Sequence, residues 1–142
     1  MTAFENLFAE YPCTLTDASV KVAVEEILAK HFDDNNNAEV WKQCLHSIDL
    51  TTLNGEDTTE KVETMAQRVN EFEENFPGVP NVAAMCVYPS LVQTVADTLT
   101  EPIGIAAVAA GFPASQTFIE VKIAEAAMAV AAVGCTCEPK GV

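Results

Sequence analysis

Positive charge is scarce in this sequence. Its 142 residues include seven Lys and Arg residues against 21 Asp and Glu residues, and the formal net charge at pH 7 is −14. Arg68 is the single arginine. Nucleic acids and anionic membranes are bound by basic surfaces that neutralise phosphate groups. The composition therefore predicts neither a nucleic acid nor a membrane as a partner.

Long apolar runs are missing as well. No stretch of the sequence reaches the roughly 18 apolar residues that a membrane-spanning helix needs. Residues 1–6 (MTAFEN) contain neither the basic nor the apolar part of a secretion signal. We therefore expect a cytoplasmic protein. The sequence also has no P-loop and no dinucleotide-binding glycine pattern, and we expect no cofactor.

Cysteines are few and mostly isolated. Five are present, and an odd number of scattered thiols is typical of reduced cytosolic proteins rather than of a disulfide framework. Cys135 and Cys137 are close enough in sequence to offer two thiolates to a metal ion. A closed zinc site takes four ligands, and no second Cys/His pair stands at ligand spacing. We therefore predict no metal site.

Apolar residues make up 49% of the sequence, which is enough for one domain with a core of modest size. Their spacing changes repeatedly between the period of a strand and that of a helix. A helix capped by Thr16 or Asp17 and a short helix over residues 38–46 come first. Strands are predicted over residues 47–53, 82–88 and 103–110, and the helices after them over residues 58–76, 91–99 and from about 115 onwards.

This repeated order of strand and helix predicts an α/β protein with a parallel sheet. We divide the chain into an N-terminal helical extension (residues 1–46), three βα units (residues 47–132) and an irregular tail (residues 133–142). A fourth strand is due where the tail begins, but the tail is too short and too rich in Gly and Pro to form one. We therefore expect an incomplete architecture.

Polar side chains lie near the ends of the first two predicted strands. Asp49, Thr51 and Leu53 share one face of the first strand because side chains alternate. Barrel enzymes place substrate-binding groups at the C-terminal ends of parallel strands in this way. Asp49 has a structural alternative, in which it caps the following turn or pairs with a neighbouring strand. Cys86 lies near the end of the second strand, on the face that would form the mouth of a barrel. It is either a nucleophile, for which neither histidine supplies a base, or a small buried apolar side chain.

Three segments at predicted strand ends resemble the deoxyribose-phosphate aldolase family. They are IDLTTLN (residues 48–54), MCVYP (residues 85–89) and GFP (residues 111–113), the last followed by a long helix rich in Ala and Glu. The resemblance runs from about residue 17 to residue 132. It implies a (βα)8 TIM barrel and a class I aldolase, a lyase of carbohydrate catabolism that uses a lysine Schiff base.

The resemblance also implies a substrate and roles for site residues. Such an enzyme interconverts 2-deoxyribose 5-phosphate with glyceraldehyde 3-phosphate and acetaldehyde, so the implied partner is a small phosphorylated sugar or an aldehyde. By resemblance Asp49 takes part in a proton relay. Thr51, Leu53 and Cys86 would belong to the substrate pocket.

The sequence departs from the family pattern in its length and its lysines. A TIM barrel typically takes about 250 residues, and here the resemblance ends before a fourth strand and before the Schiff-base lysine of such aldolases. The lysines of this chain fall in the predicted helices and the tail, at positions 21, 30, 42, 61, 122 and 140. We therefore expect three βα units of a truncated aldolase that is inactive alone.

Two other functions stay open. The first is a self-associating half-barrel that serves as an interaction module without catalysis, because the unpaired edge of an incomplete sheet favours a homodimer or another edge association. The second is an active aldolase that uses unusual residues. A lysine of the chain would then have to act from outside the predicted strands.

Overall fold

The computed structural model describes residues 2–12 and 14–134. The chain forms two compact units, Met1–Val40 and Trp41–Val142. The boundary between them comes six residues before the end of the helical extension that we assigned from the sequence. Cys135 and Cys137, for which the sequence allowed a metal-binding role, lie outside the described residues.

The first unit contains α1 (Ala3–Glu10) and α2 (Asp17–Asn35). Thr2 caps α1 and exchanges hydrogen bonds with Glu5, while Thr16 caps α2 and exchanges hydrogen bonds with Ser19. Such reciprocal caps satisfy backbone N–H groups that have no partner inside the helix. The cap at Thr16 confirms the predicted start of α2, whereas α1 was not predicted.

The remaining elements alternate between strand and helix. They are α3 (Ala38–His46), β1 (Asp49–Thr51), α4 (Thr59–Asn70), α5 (Phe72–Asn75), β2 (Ala84–Val87), a 3₁₀ turn (Pro89–Leu91), α6 (Val92–Thr98), β3 (Gly104–Ala107) and α7 (Ile119–Gly134). The predicted order of three strand–helix units is confirmed. Each strand is shorter than predicted, although single inter-strand hydrogen bonds continue beyond the strand ends, as from Thr52 to Cys86 and from Val108 to Val87.

The described strands form one parallel sheet in the order β1-β2-β3, which confirms the predicted parallel arrangement. Met85 at the centre of the sheet pairs with Leu50 of β1 and Ile105 of β3. Side chains alternate along each strand, so these three residues share one face of the sheet. Val87 and Ala107, which are also register partners, lie on that same face.

The core lies on this face, between the sheet and the helices that follow β1 and β2. Met85 and Val87 are fully buried there. They meet the apolar stripes of α4 and α6, whose buried residues are Val62, Ala66, Val69, Val92 and Val95. The opposite face of the sheet is the one that carries the candidate site residues.

Two asparagine side chains join successive strand–helix units. Asn81, which is buried, donates from Nδ2 to the carbonyl of Val69 in α4 at 2.8 Å. Asn70, at the end of α4, donates to the carbonyl of Thr98 at 2.9 Å and accepts at Oδ1 from the backbone N–H of Thr100 at 2.8 Å. The end of α4 is therefore hydrogen-bonded both to the segment before β2 and to the residues at the end of α6.

The helices differ from the prediction at three points. The helix predicted over residues 58–76 is interrupted at Glu71, which caps both α4 and α5. Apolar residues keep the same spacing across this break, so periodicity does not reveal it. α7 begins at Ile119 rather than near residue 115, because Ser115 has a left-handed backbone (φ 55°) that cannot belong to a helix. It also extends to Gly134, so the first two residues assigned to the tail are helical.

Candidate functional site

The candidate residues of the first two motifs meet across β1 and β2. Thr51 pairs with Cys86 in the parallel register, and Asp49 pairs with Ala84. Alternation of side chains therefore places Asp49, Thr51 and Cys86 on the sheet face that is turned away from the core. Asp49 and Thr51 are exposed, and Cys86 is half-buried. We call this surface the site face.

Small residues make up the rest of the site face. Gly104 of β3 pairs with Ala84, and Ala106 pairs with Cys86. A Cβ added to Gly104 would lie 3.2 Å from the Cβ of Ala84 and 3.4 Å from the carbonyl oxygen of Ala83. The close approach of β3 to β2 at this point therefore depends on glycine. The side chains of Asp49 and Thr51 are therefore the largest polar groups beside these small residues of β2 and β3.

The hydroxyl of Thr51 already has a partner. Its Oγ1 donates to the carbonyl of Asp49 at 2.8 Å, so its hydrogen is directed at the backbone and its oxygen lone pairs remain available to accept hydrogen bonds. The carboxylate of Asp49 is exposed. The site face thus offers one carboxylate and one acceptor hydroxyl oxygen, on residues two positions apart along β1.

Leu53 is held through its backbone. β1 ends at Thr51, so the alternation that we used to assign Leu53 to the site face does not extend to it. Its carbonyl accepts a hydrogen bond of 3.2 Å from the phenolic Oη of Tyr88. This bond ties the loop after β1 to the residue that follows β2. Leu53 is half-buried beside that junction.

Asp57 organises the loop between β1 and α4, and sequence reasoning missed it. Its Oδ2 accepts hydrogen bonds from Thr52 Oγ1 at 2.8 Å and from the backbone N–H of Asn54 at 2.9 Å. Its Oδ1 accepts from Lys61 Nζ. The side chain is only 1% exposed. The spacing of Asp57 and Lys61 at i and i+4 was the available sequence signal.

The ammonium group of Lys61 is the main reason why the pKa of Asp57 is lowered to about 2. Burial acts in the opposite direction, and the hydrogen bonds from Thr52 and Asn54 add to the lowering. Asp57 is therefore ionised throughout the physiological pH range. It acts as a fixed negative charge that accepts hydrogen bonds and does not exchange protons.

The GFP motif forms a tight loop between β3 and α7. Ala110 and Gly111 both have left-handed backbones (φ 61° and 73°). The N–H of Gly111 donates to Glu125 Oε2 in α7 at 2.9 Å. A Cβ at Gly111 would lie 3.1 Å from Thr117 Cγ2. Glu125 was not singled out from the sequence, because a partner 14 residues away along the chain leaves no local pattern.

None of the three described strands carries a side-chain amine. β1, β2 and β3 contain no lysine. Lys61 and Lys122 lie in α4 and α7, and Lys42 lies in α3. Lys21 and Lys30 belong to α2 in the first unit, and Lys140 is outside the described residues.

The described residues form neither a metal-binding cluster nor a membrane-spanning helix. Residues 2–12 and 14–134 contain no group of three or more His, Cys, Asp or Glu side chains that could hold a metal ion. Over the same ranges, no helix has both the length and the apolar character needed to cross a membrane. Cys44 and Cys86 are free thiols.

Comparison with known proteins gives one consistent result. No family model matches the chain. A Caenorhabditis elegans protein that carries the name deoxyribose-phosphate aldolase is 34% identical over 98 residues, which cover 67% of this chain and 32% of that protein. The deoxyribose-phosphate aldolases of Homo sapiens and Bos taurus are 35% and 34% identical over 94 residues, which cover 58% of this chain and 30% of each enzyme.

The chain therefore spans about a third of the length of the curated relatives it matches. The matched part amounts to more than half of the chain, and the sheet that carries the site face has the parallel order expected for such a protein. Over this part of its length, the chain is similar to the deoxyribose-phosphate aldolases.

Proposed function

We propose that this chain supplies one wall of an aldolase site that cleaves and forms 2-deoxyribose 5-phosphate. The products of cleavage would be glyceraldehyde 3-phosphate and acetaldehyde. The observation that carries the proposal is the register of β1 and β2, which brings Asp49 and Thr51 of one motif beside Cys86 of another. Similarity to three aldolases over this part of the chain supports the reaction class.

Asp49 is the residue to which we assign proton transfer. Retro-aldol cleavage needs a base for the hydroxyl proton next to the breaking carbon–carbon bond and an acid for the carbanion equivalent that forms. An exposed carboxylate on the site face can serve both steps through a bound water molecule. Thr51 would accept a hydrogen bond from a substrate hydroxyl through the free lone pairs of its Oγ1.

Leu53 and Cys86 would shape the pocket. Leu53 follows β1 and is anchored by Tyr88, while Cys86 is half-buried on the site face. A thiol in such a position packs as a small, polarisable apolar group. The substrate carbons would lie against these two side chains, with the sugar hydroxyls directed at Asp49 and Thr51.

The amine of the reaction must come from elsewhere. A class I mechanism needs a lysine whose pKa is lowered by burial or by a neighbouring cation, and no lysine occupies a described strand. We therefore propose that the isolated 142-residue chain has no turnover. Additional polypeptide with the Schiff-base lysine would complete the site.

A TIM barrel is the complete fold that we propose. Both ladders of the sheet are parallel, and the helices after β1 and β2 cover only one of its faces. Closing such a sheet into a barrel would turn the site face inwards, with the ends of β1 and β2 at the mouth. The free thiols of Cys44 and Cys86 support a place in the cytoplasm. The completed enzyme would act in carbohydrate catabolism, on sugars that come from deoxynucleotides.

A self-associating module is the second candidate, and the edge of β3 favours it. Gly104 and Val108 direct their N–H groups at β2, so alternation turns the backbone groups of Ile105 and Ala107 to the open side. A groove of about 430 Å³ lies between this edge and α7. Its lining is entirely apolar: Ile105, Ala107, Ala109, Ala126, Ala129, Val130 and Val133.

A chimeric enzyme tests the aldolase proposal. The segment of the human enzyme that matches this chain would be replaced by the corresponding residues of this chain, and cleavage of 2-deoxyribose 5-phosphate would be followed. We expect a folded chimera with measurable turnover. Asp49→Asn should lower that turnover by about 10²- to 10⁴-fold, the usual contribution of a general acid or base.

The control for this experiment is Glu56→Gln, which removes a charge from an exposed position in the loop after β1. We expect it to leave turnover within about threefold of the parent chimera, as is typical of exposed substitutions. A folded chimera without turnover would contradict the proposed function. Equal turnover for the Asp49→Asn variant and the parent would contradict the role of Asp49.

A further inference from the structure

The loop from β1 to α4 is fastened at three places. The N–H of Thr52 donates to the carbonyl of Cys86 at 3.0 Å, which continues the ladder one step beyond β1. Tyr88 Oη holds the carbonyl of Leu53. The third fastening is the carboxylate of Asp57, which binds Thr52 and Asn54 on either side of Leu53. Two of these contacts therefore involve β2 or the residue that follows it, and the third lies within the loop.

Asp57 stands just before α4, where an acidic residue often serves only to stabilise a helix N-terminus. The capping of α4 is done by a different residue. Thr58 accepts the N–H of Lys61 at its Oγ1 at 3.2 Å. The carboxylate oxygens of Asp57 instead bind Thr52 Oγ1, the N–H of Asn54 and Lys61 Nζ. Two of these partners belong to the loop, and the third is the side chain of Lys61 in α4.

The hydrogen bonds that the Asp57 carboxylate accepts are nearly inaccessible to water. The Asp57 side chain is 1% exposed, whereas Lys61 keeps 47% of its side chain exposed. Thr52 is also buried, with 7% of its surface exposed. Charge-assisted hydrogen bonds are about twice as strong as neutral ones, and here they converge on one buried carboxylate. Movement of the chain at residues 52–54 would break at least two of them.

We propose that Asp57 is a positioning residue for the candidate pocket, which fixes the path of residues 52–54 and so the positions of Thr51 and Leu53 beside that pocket. This inference rests on the proposed function only in treating these two residues as pocket residues. Asp57 itself touches no substrate. It acts through the backbone of Asn54 and the hydroxyl of Thr52.

Amide hydrogen exchange in the 142-residue chain tests this inference, because it reports local opening residue by residue. The variant Asp57→Asn keeps the size of the side chain but replaces one acceptor oxygen with a donor. We expect the amide of Asn54 to exchange at least about tenfold faster in this variant, as local opening becomes easier. The amides of Met85 and Val87 in β2 should accelerate less than that of Asn54, by no more than the loss of global stability allows.

Two further variants sharpen the result. Lys61→Gln removes the ammonium group but leaves the bonds from Thr52 and Asn54, so it should accelerate exchange at Asn54 less than Asp57→Asn does. Glu56→Gln makes the same change of charge at the neighbouring exposed position and should leave exchange at Asn54 unchanged.

Two outcomes would overturn the inference. One is an unchanged exchange rate at Asn54 in Asp57→Asn. The other is an equal acceleration at Asn54, Met85 and Val87, which would mean that Asp57 supports global stability rather than the loop. The exchange measurements do not depend on turnover, so failure of this inference is distinct from failure of the aldolase proposal.

Discussion

Thr51 of β1 lies directly opposite Cys86 of β2, and the carbonyl of Cys86 accepts the N–H of the next residue, Thr52, at 3.0 Å. The backbone ladder thus sets the spacing between two motifs that are more than 30 residues apart in the sequence.

The stability of the chain should depend on the ionisation of Asp57 at acidic pH. Its folded-state pKa of about 2 lies below the value of about 3.9 expected for an unfolded chain. The stabilisation from the ionised form is therefore complete above about pH 4 and is lost as the pH falls through about 2. Denaturant unfolding of the parent and of Asp57→Asn between pH 2 and pH 7 measures it.

We expect the difference in unfolding free energy between these two proteins to be constant from about pH 5 to pH 7 and to shrink below about pH 4. The rest of the sequence is the same in both proteins, so the difference isolates Asp57. A difference that grows on acidification would contradict the lowered pKa.

Gly104→Ala should destabilise the fold. The new Cβ would lie 3.2 Å from the Cβ of Ala84, and both atoms are held by a parallel ladder that cannot easily widen. Overpacking of this kind costs about 1–3 kcal/mol. The matched control is Gly55→Ala, since a Cβ at Gly55 meets nothing within 4 Å. Urea denaturation of the three proteins measures the effect, and equal losses in both variants would refute the steric explanation.

The isolated 142-residue chain should not cleave 2-deoxyribose 5-phosphate. No lysine stands on a described strand to form the imine that a class I mechanism requires. Purified protein would be incubated with substrate and borohydride and then examined by intact mass. We expect no adduct and no release of acetaldehyde. A trapped adduct on one lysine, together with turnover that borohydride abolishes, would instead favour an active aldolase with unusual residues.

The chain should self-associate through the edge of β3. Ala109 is exposed and lines the apolar groove beside that edge, so Ala109→Lys places a charge where a second chain would pack. We expect light scattering to give a dimer mass for the parent and a smaller mass for this variant. The net charge of −14 opposes association, so the dimer fraction should rise as salt screens that charge.

The control for self-association is Ala114→Lys, which adds the same charge at an exposed loop position and should leave the parent mass unchanged. A parent protein with the mass of one chain at both low and high salt, and with cooperative thermal unfolding, would exclude association through this edge.

Much of the fold could be predicted because its signals are local. The apolar run before Pro89 predicts β2, and Thr16 marks the start of α2. The break at Glu71 could not be seen, since Phe72 and Phe76 keep the helical spacing and their rings pack against each other at 5.0 Å. The left-handed backbone of Ser115 could not be predicted either, because serine is not a residue type that indicates this conformation.

The candidate site was predictable to a similar extent. Asp49 and Thr51 share the site face with Cys86 because alternation along a strand and parallel pairing are both regular. Glu125 could not be found in this way, since it acts by accepting the N–H of Gly111 from a separate loop. Asp57 carried a weak signal in its spacing from Lys61, but only the folded loop reveals its contacts with Thr52 and Asn54.

Asn70 bears on how the chain folds during synthesis. Its side chain closes hydrogen bonds to Thr98 and Thr100, which lie 28 and 30 residues further on. As the chain leaves the ribosome, the first strand–helix unit therefore emerges with an amide whose native partners have not yet been made. That unit reaches its native hydrogen bonding only when the second unit has also emerged. Translation thus delivers β1 and α4 ahead of the residues that complete the hydrogen bonding of Asn70.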